Sequence, residues 1–220
     1  MSLMDTDAPV KRSYRSPLRA LQARATRQAL IEAASRLFVD RGYGATSIDA
    51  IADAAGVSRA TVFTAVGGKP TLLKTAYDVA LVGDDLPISM SDRAGSRAIA
   101  AEPDAHQFLE RYAGLVTDIN ERLAAICEAI RGAATADPEV RPVWDKIQEE
   151  RRIGATNVVA MTAAKGPMRP GIDHAAAADV VWVLIDAGLY HSLVKLRGWP
   201  ADRFREWLAA ALTRELLPTR

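Results

Sequence analysis

The fold is set by residues 47–66, which read SIDAIADAAGVSRATVFTAV. Ser47 is a suitable N-cap for one short helix, and Ser58 is a suitable N-cap for a second. Gly56 lies between them, where a tight turn needs a residue that tolerates a positive φ angle. This order of caps and glycine predicts two short helices joined by a turn, the second of which ends near Val66.

Apolar residues occupy the positions at which these two helices must cross. Ile48, Ile51 and Val62 supply the contacts, Ala52 allows the backbones to approach closely, and Val57 fills the corner. This is the spacing of a DNA-binding helix-turn-helix, whose second helix enters a major groove. Helical hairpins with a glycine turn also occur in purely structural roles, so both interpretations stay open on this stretch alone.

Helical periodicity extends in both directions from the hairpin, and segments with strand-like alternation are scarce. We therefore predict an all-α protein, with an N-terminal three-helix bundle that contains the helix-turn-helix and a larger C-terminal helical domain. A first helix runs from Arg24 to Arg41 and ends at Gly42. A fourth begins near Pro70, and further helices are predicted near 104–119, 120–135, 138–164, 173–197 and 201–217.

Composition shifts suggest where these segments begin and end. The predicted organisation is a flexible basic arm (1–22), a helix-turn-helix domain (23–68), a connecting helix (69–82), a loop (83–103) and a C-terminal domain for effector binding and dimerisation (104–220).

Charge is unevenly distributed, although the formal net charge is only +1. Residues 1–82 contain 11 Lys and Arg against 7 Asp and Glu, whereas residues 83–220 contain 17 against 20. A basic N-terminal end on a near-neutral body suggests a local anionic partner. The alternative is a solvated, disordered tail.

Several classes of protein are disfavoured by what the sequence lacks. A single cysteine, Cys127, excludes an internal disulfide framework and fits a reducing cytoplasm. No signal peptide is expected, because Asp5 and Asp7 lie where an apolar stretch should be. No membrane span is expected, because Asp179 and Asp186 interrupt the apolar run near 180–185. Cys127 is interpreted as a small core residue or, alternatively, as a redox sensor.

No catalytic motif is found, so an enzyme is not expected. The three histidines are far apart and lack metal-ligand spacing, so neither a metal nor another cofactor is expected.

About a quarter of the chain, roughly residues 24–75, closely resembles the N-terminal domain of the tetracycline-repressor (TetR) family of bacterial regulators. The motifs that carry this resemblance are Ala29–Phe38, Gly42-Tyr43, Thr46-Ser47-Ile48, Ile51-Ala52, Ala55-Gly56-Val57-Ser58, Thr61-Val62-Phe63, Lys69 and Leu72-Leu73. The resemblance implies a cytoplasmic homodimer that binds double-stranded operator DNA. It also implies a C-terminal domain that binds a small-molecule effector and dimerises through its last two long helices. Repression at a palindromic operator is the expected function, and a helix-turn-helix used for protein interaction without DNA binding is the alternative.

The resemblance assigns DNA contacts to residues of the hairpin and its neighbours: Arg24, Thr46, Ser47, Ser58, Arg59, Ala60, Thr61, Phe63, Thr64 and Lys69. Arg59 is expected to read a guanine or, equally, to contact a phosphate. Thr46, Ser47 and Lys69 match phosphate-contacting positions. Two departures from the family pattern, Phe63 and Ala65, remove side-chain groups that commonly contact phosphates.

Two further sets of residues are predicted in the C-terminal domain. Apolar spacing predicts a dimer interface, with intramolecular core as the alternative, formed by Val181, Ile185, Gly188, Leu189, Leu193, Phe204, Leu208 and Leu212. Aromatic and scattered polar residues are candidates for an effector pocket, with ordinary packing as the alternative: Tyr77, Phe108, Tyr112, Cys127, Arg131, Trp144, Arg151, Trp182 and Asp186.

Overall fold

A computed structural model describes residues 17–219, and within this range the chain forms helices and no β-strand. The α-helices are α1 (Pro17–Ala45), α2 (Ile48–Ala55), α3 (Arg59–Ala65), α4 (Lys69–Val82), α5 (Ala94–Ala100), α6 (Ala105–Ala134), α7 (Arg141–Lys165), α8 (His174–Leu184), α9 (Ala187–Tyr190) and α10 (Ala201–Leu216). A 3₁₀ helix covers Met90–Asp92, and a π-helical segment covers His191–Leu196. The predicted all-α fold is confirmed.

The hairpin forms for the reasons that its sequence suggests. The Ser47 hydroxyl accepts a hydrogen bond from the Ala50 N–H at 3.1 Å, and the Ser58 hydroxyl accepts one from the Thr61 N–H at 3.1 Å. Gly56 adopts the left-handed conformation, with φ 68° and ψ 32°. Two capped helices separated by a left-handed glycine define the angle at which α3 leaves α2.

The first helix begins earlier than predicted. Residues 17–22, which were assigned to the flexible arm, are already helical, because proline at the first position of a helix has no N–H to lose. The rest of the predicted arm, residues 1–16, lies outside the described residues. At its other end α1 is interrupted by Gly42 (φ 78°), as predicted, and a short helical turn follows to Ala45.

The predicted loop 83–103 contains the 3₁₀ helix and α5. Its prolines, Pro87 and Pro103, flank these helical segments and do not interrupt them. Arg93 anchors the segment, because its guanidinium pairs with Asp84 at 2.7 Å. The same pair holds the pKa of the Asp84 carboxyl at about 2, through hydrogen bonds to that carboxylate.

The helices of the body also differ from prediction at two places. The predicted helices 104–119 and 120–135 are one continuous helix, α6, because no helix-breaking residue separates them. The predicted helix 173–197 is broken at Ile185, and Asp186 caps α9 by accepting a hydrogen bond from the Gly188 N–H at 2.6 Å.

Two buried clusters form the core. The first joins the N-terminal helices to the C-terminal half of α6, with Phe38, Val62 and Ile130 completely buried in it. The second joins α6, α7, α8 and α10 around Phe108 and Phe204. The N-terminal helices therefore pack directly against the end of the longest helix of the body.

The second cluster corrects part of the predicted dimer interface. Four of its residues are completely buried inside a single chain and cannot contact a second copy: Val181, Phe204, Leu208 and Leu212. Gly188 is buried as well. Their apolar periodicity reflects packing among α6, α8 and α10, and only the half-buried Ile185, Leu189 and Leu193 stay as predicted interface residues.

One stretch of the described residues, His174–Leu196, is long and apolar enough to cross a membrane by length and composition alone. Its helix is broken at Ile185–Asp186, and Asp186 forms an ion pair with Arg151 at 2.7 Å. Its inward residues Ala177 and Tyr190 are buried against the body. A broken segment with an ion pair near its middle is poorly suited to a bilayer.

Candidate nucleic-acid interface and cavity

One face of α3 points to solvent. Val62 is completely buried under the helix, whereas Ser58, Arg59, Ala60 and Thr64 are exposed. Thr61 is half-buried. Since α3 is held by its inner face alone, its N-terminal turn and outer face are free to enter a groove of about 12 Å width.

Arg59 is paired within the hairpin. Its Nη1 lies 2.9 and 2.8 Å from the two carboxylate oxygens of Asp49, in the first turn of α2. Both side chains are more than half exposed, so water screens the pair and it contributes little to stability. Asp49 thus directs Arg59 along the outer face of α3. Because the pair is weak, Arg59 can exchange Asp49 for a DNA group at a small cost in free energy. This role of Asp49 is not predictable from the sequence alone, which shows only that Asp49 lies in the first turn of α2.

Phe63 lies beside Arg59 on the same face. Its side chain is 48% exposed, and the Arg59 guanidinium carbon lies 5.6 Å from the centre of its ring. An exposed ring cannot donate a hydrogen bond to phosphate, but it can contact the methyl group of thymine. The face therefore combines one cation with one apolar contact.

Thr46 is not part of this surface, contrary to prediction. It is only 1% exposed, and its hydroxyl lies 3.1 and 2.8 Å from the carbonyl oxygens of Leu37 and Gly42. The hydroxyl satisfies carbonyls left open where α1 is interrupted, and so cannot reach a phosphate. Ser47, one residue later, is exposed.

Arg24 and Lys69 flank α3. Arg27 ties α1 to the end of α3, since its Nη1 donates to the Ala65 carbonyl at 2.9 Å. The exposed Arg24 precedes Arg27 by three residues and so lies near the same face of α1.

Lys69 begins α4, and its Nζ lies 3.9 Å from the centre of the Tyr43 ring. Burial lowers the pKa of Lys69, and the carboxylates of Asp137 and Glu139 partly oppose this. Burial, together with the same two carboxylates, raises the pKa of Tyr43 to about 12. Lys69 is therefore half-buried and packed against Tyr43 of α1, which restricts the directions in which its side chain can reach DNA.

A cavity of about 680 Å³ lies in the body between α4, α5, α6 and α7. Five of the nine predicted pocket residues line it: Tyr77, Phe108, Tyr112, Cys127 and Arg151. Most of the remaining wall is apolar, including Leu81, Ile99, Val116 and Met161. Its volume and lining are typical of a site for a small organic molecule.

The other four predicted pocket residues lie outside the cavity lining. Arg131 is exposed and contacts Glu128, and Trp144 packs against the first core cluster. The Arg151 guanidinium carbon lies 5.3 Å from the centre of the Trp182 ring, and Asp186 forms an ion pair with Arg151. These two position Arg151 without bordering the empty space.

Cys127 is buried in the wall of the cavity. Burial, chiefly, and the nearby Asp186 carboxylate raise the pKa of its thiol to about 11. A thiol that stays protonated at neutral pH is a poor nucleophile, which disfavours the redox-sensor alternative. Within residues 17–219 no group of three or more His, Cys, Asp or Glu side chains could hold a metal ion.

Comparisons with known proteins agree with this geometry. Residues 30–76 match the sequence profile of the bacterial regulatory proteins of the tetR family. A Bacillus subtilis (strain 168) protein named as an uncharacterized HTH-type transcriptional regulator, YdeS, is 21% identical over 158 residues, which cover 71% of this chain and 74% of YdeS.

Solved structures show the same fold over most of the chain. NalD from Pseudomonas aeruginosa, named as the secondary repressor of the MexAB-OprM multidrug efflux pump, aligns with a TM-score of 0.68 at 20% identity, covering 89% of this chain and 98% of NalD. A protein from Saccharomonospora viridis, described as a transcriptional regulator and solved in complex with choline, aligns with a TM-score of 0.64 at 20% identity, covering 88% and 98% of the two chains.

The capped hairpin, its exposed second helix and the helical body define a helix-turn-helix DNA-binding regulator. More specifically, residues 30–76 match the tetR family of bacterial regulatory proteins, and the chain has the fold of solved TetR-family regulators.

Proposed function

We propose that this protein is a homodimeric cytoplasmic repressor, rather than an enzyme, that leaves a palindromic operator when a small molecule fills its cavity. The observation that carries the proposal is the outer face of α3, where Arg59 and Phe63 are exposed on a helix held only from within. Phosphate contacts from Ser47, Arg24 and Lys69 would fix the register of this helix in a major groove.

The apolar outer surface of the segment His174–Leu196 supports dimerisation. Only 28% of its most apolar window is buried in the single chain, and Val183 and Leu196 are 51% and 70% exposed. Large exposed apolar groups on one segment mark an interface, and a second copy of the same face would cover them through a twofold axis. Leu189 and Leu193 lie on the same segment.

Replacing Val183 with glutamate is expected to weaken dimerisation by at least about tenfold, because the charge would be buried unpaired at the interface. Sedimentation velocity over a protein dilution series measures the dissociation constant. The matched control is Val39→Glu, which places the same charge at another exposed apolar residue, on α1. An unchanged dimer in Val183→Glu would exclude this face as the interface.

The cavity supports control by a ligand. The wall of the cavity includes Tyr77 of α4 and Cys127 of α6, and both residues also belong to the core cluster that holds the N-terminal helices. A ligand that binds more tightly when these helices are shifted would stabilise the shifted arrangement. The spacing between the two helix-turn-helix domains of the dimer would then change, which would lower the affinity for the operator.

Selection of binding sites from random duplex DNA tests the DNA-binding part of the proposal. We expect a palindromic motif, with half-sites about one helical turn apart, whose affinity falls steeply between two salt concentrations. If a folded dimer enriches no sequence even at low salt, the hairpin serves protein interaction and the proposal fails.

A further inference from the structure

The cavity contains charged side chains, but each is neutralised by the protein itself. Arg151 pairs with Asp186 at 2.7 Å, and it also donates hydrogen bonds to the side-chain oxygen of Gln148 and the carbonyl of Trp182, both at 2.7 Å. Glu150 lies 3.1 Å from Lys74 and 3.6 Å from Lys146. Arg151 and Glu150, the charged residues that line the cavity, therefore already have protein partners of opposite charge.

The whole ionic cluster beside the cavity is balanced. Lys74 also pairs with Asp78, at 2.6 Å, so that the cluster contains three cations and three carboxylates. A cationic ligand would have to displace Lys74 from Glu150, and an anionic ligand would have to displace Asp186 from Arg151. The exchange at Arg151 leaves the half-buried Asp186 without its partner, which is unfavourable, and the exchange at Glu150 removes one of the two carboxylates that pair with Lys74.

Two tyrosine hydroxyls, in contrast, have no hydrogen-bond partner among residues 17–219. Tyr77 is almost completely buried, Tyr112 is half-buried, and both line the cavity. Burial raises the pKa of both phenols, so each keeps its proton and can donate it. A hydroxyl that lines the cavity and donates to no protein acceptor can be satisfied by an acceptor on a ligand.

We propose that the cavity binds an uncharged, mainly apolar molecule that presents an oxygen acceptor to the hydroxyl groups of Tyr77 and Tyr112. This inference rests on the proposed effector control and specifies the chemical class of the effector. Aliphatic walls and the stacked rings of Phe108 and Tyr112, 6.2 Å apart, would enclose the apolar part.

Four compounds of one shape test the charge and the acceptor separately. They are flavone, which is neutral with a carbonyl oxygen, a flavone carboxylate, a flavone bearing a trimethylammonium group, and 2-phenylnaphthalene, which lacks oxygen. Their affinities for the full-length protein are measured by displacement of a neutral fluorescent dye. We expect flavone to bind at least about tenfold more tightly than either charged analogue.

Three tyrosine variants test the acceptor. Tyr77→Phe and Tyr112→Phe are expected to weaken flavone binding by about 2- to 10-fold each and to leave 2-phenylnaphthalene unchanged. Tyr190→Phe is the matched control, because Tyr190 is as buried as Tyr77 but packs on Phe204, away from the cavity. It should bind every compound as the unaltered protein does.

The outcomes separate the ligand class from the proposed function. Equal or tighter binding of a charged analogue, no binding of any compound, or no effect of the two cavity variants would overturn the inference. DNA affinity on the selected operator is measured in parallel, with and without flavone. If flavone binds as expected but DNA affinity does not change, effector control fails and the ligand class stands.

Discussion

Replacing Phe38 with alanine is expected to lower the free energy of unfolding by about 3–5 kcal/mol. The ring is completely buried in the first core cluster and stacks on Tyr43 with ring centres 5.6 Å apart. Neighbouring helices fix the space around it, so alanine would leave a cavity that they cannot easily close. Urea unfolding at one fixed protein concentration, followed by circular dichroism, measures the change.

The adjacent Val39 provides the control for Phe38→Ala. Val39 is exposed on the same helix, so Val39→Ala should change the stability by no more than about 0.5 kcal/mol. A loss below about 1 kcal/mol for Phe38→Ala would mean that the head tolerates a cavity, and that its packing against α6 is looser than the structure shows.

Local chemistry made the helix-turn-helix predictable. The hydroxyls of Ser47 and Ser58 accept hydrogen bonds from residues three positions later, and the left-handed conformation of Gly56 depends on that residue alone. These features can therefore be predicted without information about the rest of the chain. For the same reason the interruption of α1 at Gly42 was predicted, because a positive φ angle is a property of that residue.

Burial was less predictable, since it depends on partners that are distant in sequence. The periodicity of Val181 and Leu208 shows that a helix has an apolar face, but not whether that face meets its own body or a second copy. The structure places both inside one chain. The start of α1 at Pro17 was missed for a related reason, because proline both breaks helices and begins them.

The candidate site shows the same division. Exposed α3 residues such as Arg59 follow from helix geometry, whereas the burial of Thr46 depends on the carbonyls that α1 leaves open. The cavity required the most distant information. Its lining brings together Tyr77 of α4 and Arg151 of α7, which are 74 positions apart in the sequence. Trp182 contacts Arg151 but does not line the cavity.

Replacing Arg59 with alanine is expected to reduce specific operator binding by about 1–3 kcal/mol, which is roughly 5- to 150-fold. The guanidinium is the one charged group among the exposed α3 residues Ser58–Thr64, and its pair with Asp49 is too exposed to retain it against a guanine edge. Fluorescence anisotropy with the selected operator, and with each base pair of the half-site altered in turn, measures the loss. The two roles left open by the sequence then give different patterns.

A base-reading Arg59 would make the variant indifferent to one base pair while the salt dependence stays nearly the same. A phosphate-contacting Arg59 would weaken binding to all sequences alike and reduce the salt slope by about 1. Arg152→Ala is the control, because Arg152 forms an equally exposed ion pair, with Glu149 at 3.0 Å, on α7 in the body. Operator affinity that is unchanged in Arg59→Ala, or lowered equally in Arg152→Ala, would remove Arg59 from the interface. DNA recognition would then have to depend on Phe63, on the backbone of α3, and on the basic residues Arg24 and Lys69.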